Sequence, residues 1–112
     1  MASVAQCITA LEKVLGDIAA HPAAAGMDRS VSCALTDLST LLVGRLRDGA
    51  INDLHPVPAD PPPAKADIRL AMTSDDLVAL TDGRLSFIPA WTSGRIKFHA
   101  GVRDMLRFRK FF

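Results

Sequence analysis

The order of its elements places this 112-residue chain in the α+β class, with a five-stranded, mostly antiparallel sheet and helices packed on one face. Three observations predict that class. First, the chain begins with an amphipathic helix. Second, short segments follow in which apolar and polar residues alternate, with a signal for a tight hairpin between two of them. Third, strands and short helices alternate along the second half of the chain. The length is that of one domain, so we expect residues 1–112 to form a single unit.

The first predicted helix covers Ser3–Ala20. Ser3 and Gln6 form a capping-box pattern at its start, and Pro22 ends it soon after Ala20. Its apolar residues recur at intervals of four and three, which places them on one stripe: Val4, Ile8, Leu11, Leu15 and Ile18.

Three strands are predicted in the next segment. Apolar residues alternate over Val31–Leu35, and a second run covers Thr40–Arg47, in which Leu41-Leu42-Val43 is also compatible with part of a helix. The dipeptide Asp48-Gly49 then predicts a two-residue hairpin turn, because both residues tolerate positive φ. The chain returns as a third strand over Ile51–His55.

Prolines are concentrated after that strand. Five of the seven prolines lie between Pro56 and Pro63. Since proline cannot donate to a sheet ladder, we expect an extended crossover loop there. A fourth strand is predicted over Asp67–Met72, where Ile68, Leu70 and Met72 share one face.

The remaining elements are short. Thr73 predicts a helix N-cap with Asp76 as its reciprocal partner, and Gly83 predicts the left-handed C-terminal cap. One helical turn is expected over Ile88–Thr92. A last strand over Arg95–His99 points Ile96 and Phe98 inward, and a terminal helix covers Val102–Phe108.

Composition excludes several classes of function. The net charge is +1 and 49% of the residues are hydrophobic, so nothing predicts nucleic-acid binding or disorder. Cys7 and Cys33 have no metal-ligand spacing and are expected to be buried, reduced thiols. The N-terminus has no signal-peptide pattern and no apolar run is long enough to span a bilayer, so we expect a cytoplasmic protein.

Signals for catalysis are absent from the sequence. His21, His55 and His99 are scattered, without a neighbour at metal-ligand spacing, and no phosphate-binding, dinucleotide-binding or serine-nucleophile motif occurs. Helix capping accounts for the acidic pair Asp75-Asp76. We therefore expect no enzymatic activity, no cofactor and no metal.

From Ala66 onward the residues and their spacing resemble the sterol carrier protein type 2 (sterol-binding) domain family. The resemblance rests on a series over about forty residues: Ala66-Asp67-Ile68, Thr73-Ser74-Asp75-Asp76-Leu77, Leu80, Gly83, Leu85, Ala90-Trp91, Gly94-Arg95-Ile96, Phe98 and the terminal helix. It implies a twisted five-stranded sheet, an apolar tunnel under the helices, and non-enzymatic binding of sterols, fatty acyl chains or similar lipids. The chain ends without a peroxisomal targeting tripeptide, so it is more similar to the bacterial stand-alone members.

This resemblance and the inward positions together predict a ligand-binding set: Ile68, Leu70, Met72, Leu77, Leu80, Phe87, Trp91, Ile96, Phe98 and Leu106. Trp91 has two interpretations, as a plug in the core or as a residue at the cavity mouth. The inward residues are almost all apolar, which predicts a promiscuous site for a lipid.

The basic, phenylalanine-rich tail also has two interpretations. It is either a packed helix with a solvated basic flank or a lid that touches a membrane surface transiently. The predicted membrane or partner contacts are Arg107, Phe108, Lys110, Phe111 and Phe112.

A different class of function remains open on the sequence alone. The same sheet and tail could form an interaction or scaffold module that makes a homodimer or docks on a partner enzyme. Such a module could also present a lipophilic substrate to that enzyme. Cavity volume separates the two classes, because a void of about 300 Å³ or more favours carriage of a ligand.

Overall fold

The computed structural model describes residues 2–22, 25–60 and 65–108, with the side chains of 107 and 108 excepted. In chain order the elements are α1 (Val4–Ala20), β1 (Arg29–Leu35), β2 (Thr40–Arg47), β3 (Ala50–Pro58), β4 (Ile68–Met72), α2 (Ser74–Thr81), α3 (Phe87–Thr92), β5 (Lys97–His99) and α4 (Val102–Phe108).

The five strands form one mixed sheet in the order β3-β2-β1-β4-β5. The pair β1 and β4 is parallel, and the other three pairs are antiparallel. The parallel pair follows from the crossover that carries the chain from the edge strand β3 across to the far side of β1. The predicted mostly antiparallel α+β class is confirmed.

Helix α1 begins where the capping box predicted. The Ser3 hydroxyl accepts a hydrogen bond from the Gln6 backbone N–H at 3.1 Å, and the Gln6 side chain accepts one from the Ser3 N–H at 2.8 Å. The helix packs across the inner face of the sheet and against α2. Each of these bonds satisfies a backbone donor that the first turn would otherwise leave unpaired.

The hairpin between β2 and β3 turns at Asp48-Gly49, where φ is 56° and 74°. Two consecutive positive φ values define the turn type that matches the twist of the flanking strands. The Asp48-Gly49 prediction is confirmed.

The prediction of a loop from Pro56 onward is wrong at its start. Strand β3 extends to Pro58, with Pro56 opposite Leu42 and Pro58 opposite Thr40. Both prolines fit because β3 is an edge strand, where a missing N–H can face away from the ladder. The remaining prolines of the predicted loop, 61–63, lie outside the described residues.

The N-terminus of α2 departs from the prediction in one respect. Thr73 caps the helix by accepting from the Asp76 N–H at 3.2 Å, as predicted. The Asp76 carboxylate does not act as the reciprocal partner, because it accepts hydrogen bonds from Arg95. Arg95 itself precedes β5, which begins only at Lys97.

The core lies between α1 and the inner face of the sheet. Its most buried members on β1 are Val31, Cys33 and Leu35, each at most 1% exposed. Cys7 and Cys33 are both buried and free of disulfide bonds, as predicted. Burial, reinforced by the neighbouring Cys7, raises the pKa of the Cys33 thiol to about 12.

Candidate functional site

A cavity of about 330 Å³ lies between α1, β4 and α2 and is completed by the segment that leads into α3. The described residues that line it are Leu11, Val14, Leu15, Ile18, Ile68, Leu70, Met72, Leu77, Leu80, Leu85, Ser86, Phe87 and Phe98. Apart from Ser86, the lining residues carry hydrocarbon, thioether or aromatic side chains. Such a surface favours apolar occupants.

Strand β4 supplies the floor of this cavity. Its alternating residues Ile68, Leu70 and Met72 all point to the inner face and are nearly fully shielded from solvent. Period-two alternation places them in one row, since successive side chains of a strand face opposite sides. The sequence predicted this row and its inward direction.

Helix α1 supplies a wall that the predicted ligand-binding set omitted. Leu11, Val14, Leu15 and Ile18 line the cavity. These positions are three, four and seven residues apart, so they share one face of the helix over its second half. The predicted apolar stripe of α1 contained three of them, and Val14, three residues after Leu11, was the available signal for a wider face.

Seven of the ten predicted ligand-binding residues line the cavity: Ile68, Leu70, Met72, Leu77, Leu80, Phe87 and Phe98. The other three lie elsewhere. Ile96 is fully buried in the core, Trp91 is half-buried behind the cavity wall, and Leu106 on α4 is 55% exposed.

Trp91 belongs to an aromatic cluster whose other two rings face the cavity. Its ring centroid lies 6.0 Å from that of Phe87 and 5.6 Å from that of Phe98. Phe87 and Phe98 meet edge to face at 6.0 Å. Such pairs stabilise beyond the area they bury. Trp91 therefore supports two wall residues without lining the cavity itself.

An ion pair ties α2 to the segment before β5. The Arg95 guanidinium donates to both carboxylate oxygens of Asp76 at 2.8 to 3.0 Å. Asp76 is buried whereas Arg95 is largely exposed. The hydrogen bonds that Arg95 donates to Asp76, together with the negative charge of that carboxylate, raise the pKa of Arg95. A forked pair of this kind fixes orientation as well as distance.

A second polar contact holds the start of α2 to the turn after β1. Asp37 accepts from the Ser74 N–H at 2.8 Å and from the Ser74 hydroxyl at 2.6 Å. These hydrogen bonds hold the pKa of Asp37 below its ordinary value. The two contacts together position α2 over one side of the cavity.

Helix α4 is attached by a salt bridge from its first turn. The Arg29 Nε atom donates to Asp104 at 3.0 Å, and Asp104 is buried. Val102 and Leu106 on the same helix are exposed. Of the predicted membrane or partner contacts, Arg107 and Phe108 lie in α4 with side chains that the structure does not describe, and Lys110, Phe111 and Phe112 lie outside the described residues.

A second hollow, of about 470 Å³, lies between α1 and α2. Gln6, Thr9, Lys13 and Asp82 contribute to its lining. None of the predicted site residues lines it. Five of its eight described lining residues carry polar or charged side chains, so its lining is more polar than that of the apolar cavity.

Metal binding requires a cluster of ligating side chains, and membrane insertion requires a long apolar helix. Within residues 2–22, 25–60 and 65–108, no three His, Cys, Asp or Glu residues come together as a metal site would require. Among the helices so described, none has the length and apolar character needed to cross a membrane.

No family model and no curated protein sequence matches the chain. Several solved structures do match the chain. Sterol carrier protein 2 matches with a TM-score of 0.63 at 20% identity, over 89% of this chain and 81% of that one. The palmitated sterol carrier protein 2-like 2 of Aedes aegypti matches with a TM-score of 0.61 at 14% identity, over 97% and 93%.

A third match is to part of a much larger enzyme. The stereoselective inverting sec-alkylsulfatase of a Pseudomonas species matches with a TM-score of 0.56 at 22% identity, over 83% of this chain. This chain spans only 13% of the length of that enzyme. The likeness is confined to one region of it. This likeness and the two near full-length ones together show that the chain has the fold of sterol carrier protein 2, as the resemblance in its sequence predicted.

Proposed function

We propose that this chain, as one domain over residues 1–112, binds the hydrocarbon part of a lipid in its apolar cavity and performs no chemistry on it. The observation that carries the proposal is the cavity of about 330 Å³, whose described lining is apolar except for Ser86. The residues proposed to contact the lipid are the seven predicted ones that line the cavity, joined by the α1 wall.

The energetics favour a lipid tail over a polar molecule. Each methylene moved from water into an apolar site contributes about 0.8 kcal/mol, so about ten of them contribute about 8 kcal/mol before the costs of association. We therefore expect dissociation constants in the micromolar range or weaker. A polar substrate would lose its hydration without replacement hydrogen bonds.

The structural likenesses support the same occupant. One protein of this fold, from Aedes aegypti, is described as palmitated. A cytoplasmic carrier that exchanges its lipid with membranes or with a partner protein would fit both the fold and the predicted localisation.

Trp91 offers the direct test, because its ring packs on Phe87 and Phe98 of the cavity wall. Titration with single-tailed lipids should change the tryptophan emission saturably, with a stoichiometry of one. Native mass spectrometry of the purified protein should also detect a bound lipid. Absence of both signals for acyl and sterol ligands alike would contradict the proposal.

A second candidate function is docking on an enzyme, with or without presentation of a lipophilic substrate. The occurrence of a similar region inside the alkylsulfatase favours it. Homodimer formation belongs to the same class. Sedimentation equilibrium of the purified chain would test homodimer formation, and a monomer at every concentration would contradict it.

Contact with a membrane surface is the remaining part of the proposal. Val102 and Leu106 expose apolar side chains on α4, next to the basic tail. Apolar groups beside cations favour an anionic interface. Flotation with anionic vesicles should retain the protein more than flotation with neutral vesicles, and equal retention would contradict an electrostatic contact.

A further inference from the structure

We infer that the cavity takes up about ten carbons of a single-tailed lipid with a small uncharged polar head, which Ser86 binds at the rim, and that it does not admit sterols. This inference rests on the proposed function and narrows its ligand class. Three features carry it: the volume of the cavity, the placement of its one described polar lining residue, and the absence of a charged side chain from the described lining.

The volume limits the tail. A small group in a liquid takes about 30 Å³, so a cavity of about 330 Å³ holds about eleven non-hydrogen atoms. A ten-carbon chain with one oxygen meets that limit. A sterol carries more than twice as many atoms in a rigid ring system, and it cannot leave part of that system outside by bending.

The polar end of the site is at Ser86. This residue lines the cavity and is also exposed, so it marks the rim. It occupies the N-cap position of α3, yet its side chain makes no capping hydrogen bond. Its hydroxyl is therefore available to donate one hydrogen bond and accept another from a ligand head.

The charge of the head follows from what surrounds that hydroxyl. No ionisable side chain is present among the described residues that line the cavity. A carboxylate or phosphate head would find no ion-pair partner among those lining residues. An alcohol or ester head loses less hydration on binding than a charged head does.

A series of straight-chain alcohols from hexanol to hexadecanol tests the length limit by isothermal titration calorimetry. Affinity should rise about fourfold with each methylene up to decanol or undecanol and then stop rising. Cholesterol should not compete with decanol. A rise that continues to hexadecanol, or competition by cholesterol, would overturn the size limit.

A matched pair of variants on one helix locates the limit in this cavity. Val14→Phe adds four carbon atoms to the α1 wall, so the plateau should move to chains shorter by about two to four carbons. Val4→Phe makes the same change at a half-buried position of α1 outside the lining and should leave the plateau in place. An unchanged plateau in Val14→Phe would show that the tail binds elsewhere.

The head group is tested by two further variants and one ligand pair. Ser86→Ala should weaken decanol binding about twofold to tenfold, because one hydrogen bond is lost. Ser93→Ala removes a hydroxyl from the other end of α3 and should have no effect. Wild type should bind decanol at least threefold more tightly than decanoate. Tighter decanoate binding, or an inert Ser86→Ala, would overturn the assignment of the head.

The outcomes for this inference and for the proposed function are distinct. Failure of every alcohol, acid and sterol to bind would defeat the proposed function itself. Binding of all chain lengths and of cholesterol with similar affinity would uphold the proposed function and defeat only the selectivity.

Discussion

Two halves of the inner sheet face carry the same sequence pattern but meet different surroundings. In β1 the residues Val31, Cys33 and Leu35 alternate inward, and in β4 the residues Ile68, Leu70 and Met72 do the same. The β1 row lies in the closed core, and none of its members lines the cavity. The β4 row lies directly under the cavity.

The difference comes from what covers each half. Strand β1 is central, with β2 and β4 as its neighbours, and its half is completed by the buried Leu42 and Leu46 of β2. Strand β4 has only the three-residue β5 on its far side, and its cover includes the short helices α2 and α3. Alternation thus decides which side chains point inward, whereas the covering elements decide whether those side chains meet a partner or a space.

The largest expected effect comes from a substitution in the closed half of the inner sheet face, the half around β1 and β2. Leu42→Ala removes a side chain that is fully shielded from solvent and should lower the free energy of unfolding by about 3–5 kcal/mol. Leu80→Ala, at the cavity, should cost about 1–2 kcal/mol, because its half-buried side chain already faces empty space on one side. Urea denaturation measures both. Equal losses would mean that the two halves are packed alike.

Alkaline pH should also weaken the closed half. The Cys33 thiol has a pKa of about 12 when folded and 9.0 ordinarily, so unfolding releases a proton above about pH 9. The contribution of Cys33 to stability is complete below that pH and is lost as the pH rises toward 12. Between about pH 9 and 11 we expect a loss of about 2 kcal/mol.

Urea denaturation at several alkaline pH values checks this. Cys33→Ala is the control, because it removes the titrating group and should make the decline shallower. The same decline in Cys33→Ala and wild type would assign the effect to other groups.

The half of the sheet face under the cavity depends on the ion pair between Asp76 and Arg95. Arg95→Ala leaves the buried Asp76 carboxylate without its forked partner and should lower the unfolding temperature, by an amount that water screening of the exposed guanidinium keeps small. Arg95→Lys keeps the charge and should recover part of that loss. Thermal unfolding of both variants, together with the affinity for decanol, measures the effect on the fold and on the cavity. A loss of stability without any change in affinity would show that the contact does not position the cavity wall.

The smallest expected effect compares two serines at helix starts. Ser3 caps α1 through a hydrogen bond, whereas Ser86 makes no capping bond at α3. Ser3→Ala should therefore cost about 1 kcal/mol, and Ser86→Ala should change the free energy of unfolding by less than about 0.5 kcal/mol. Denaturation curves that reverse this order would show that the Ser86 hydroxyl stabilises the fold.

Local signals predicted most of the elements. The capping box of α1, the Asp48-Gly49 turn and the alternation of β4 each depend on residues a few positions apart, and the structure has all three. Edge position is not local, which explains the error at Pro56. Whether a proline interrupts a ladder depends on which side of its strand has a neighbour.

Local sequence signals predicted only part of the candidate site. The inward row of β4 and the lining residues of α2 follow from periodicity. The α1 wall does not, because nothing local states that a helix at the start of the chain will lie beside a strand that begins at Ile68. The pairing of Asp76 with Arg95, nineteen residues apart, was hidden for the same reason.

The sequence by itself determined the inward and outward sides of each element, because hydrophobic periodicity and caps act over one or two turns of chain. Tertiary structure alone decided that the inner face closes over β1 and stays open over β4. That outcome depends on the volumes of side chains brought together from distant segments. No single residue or local sequence pattern encodes an empty space.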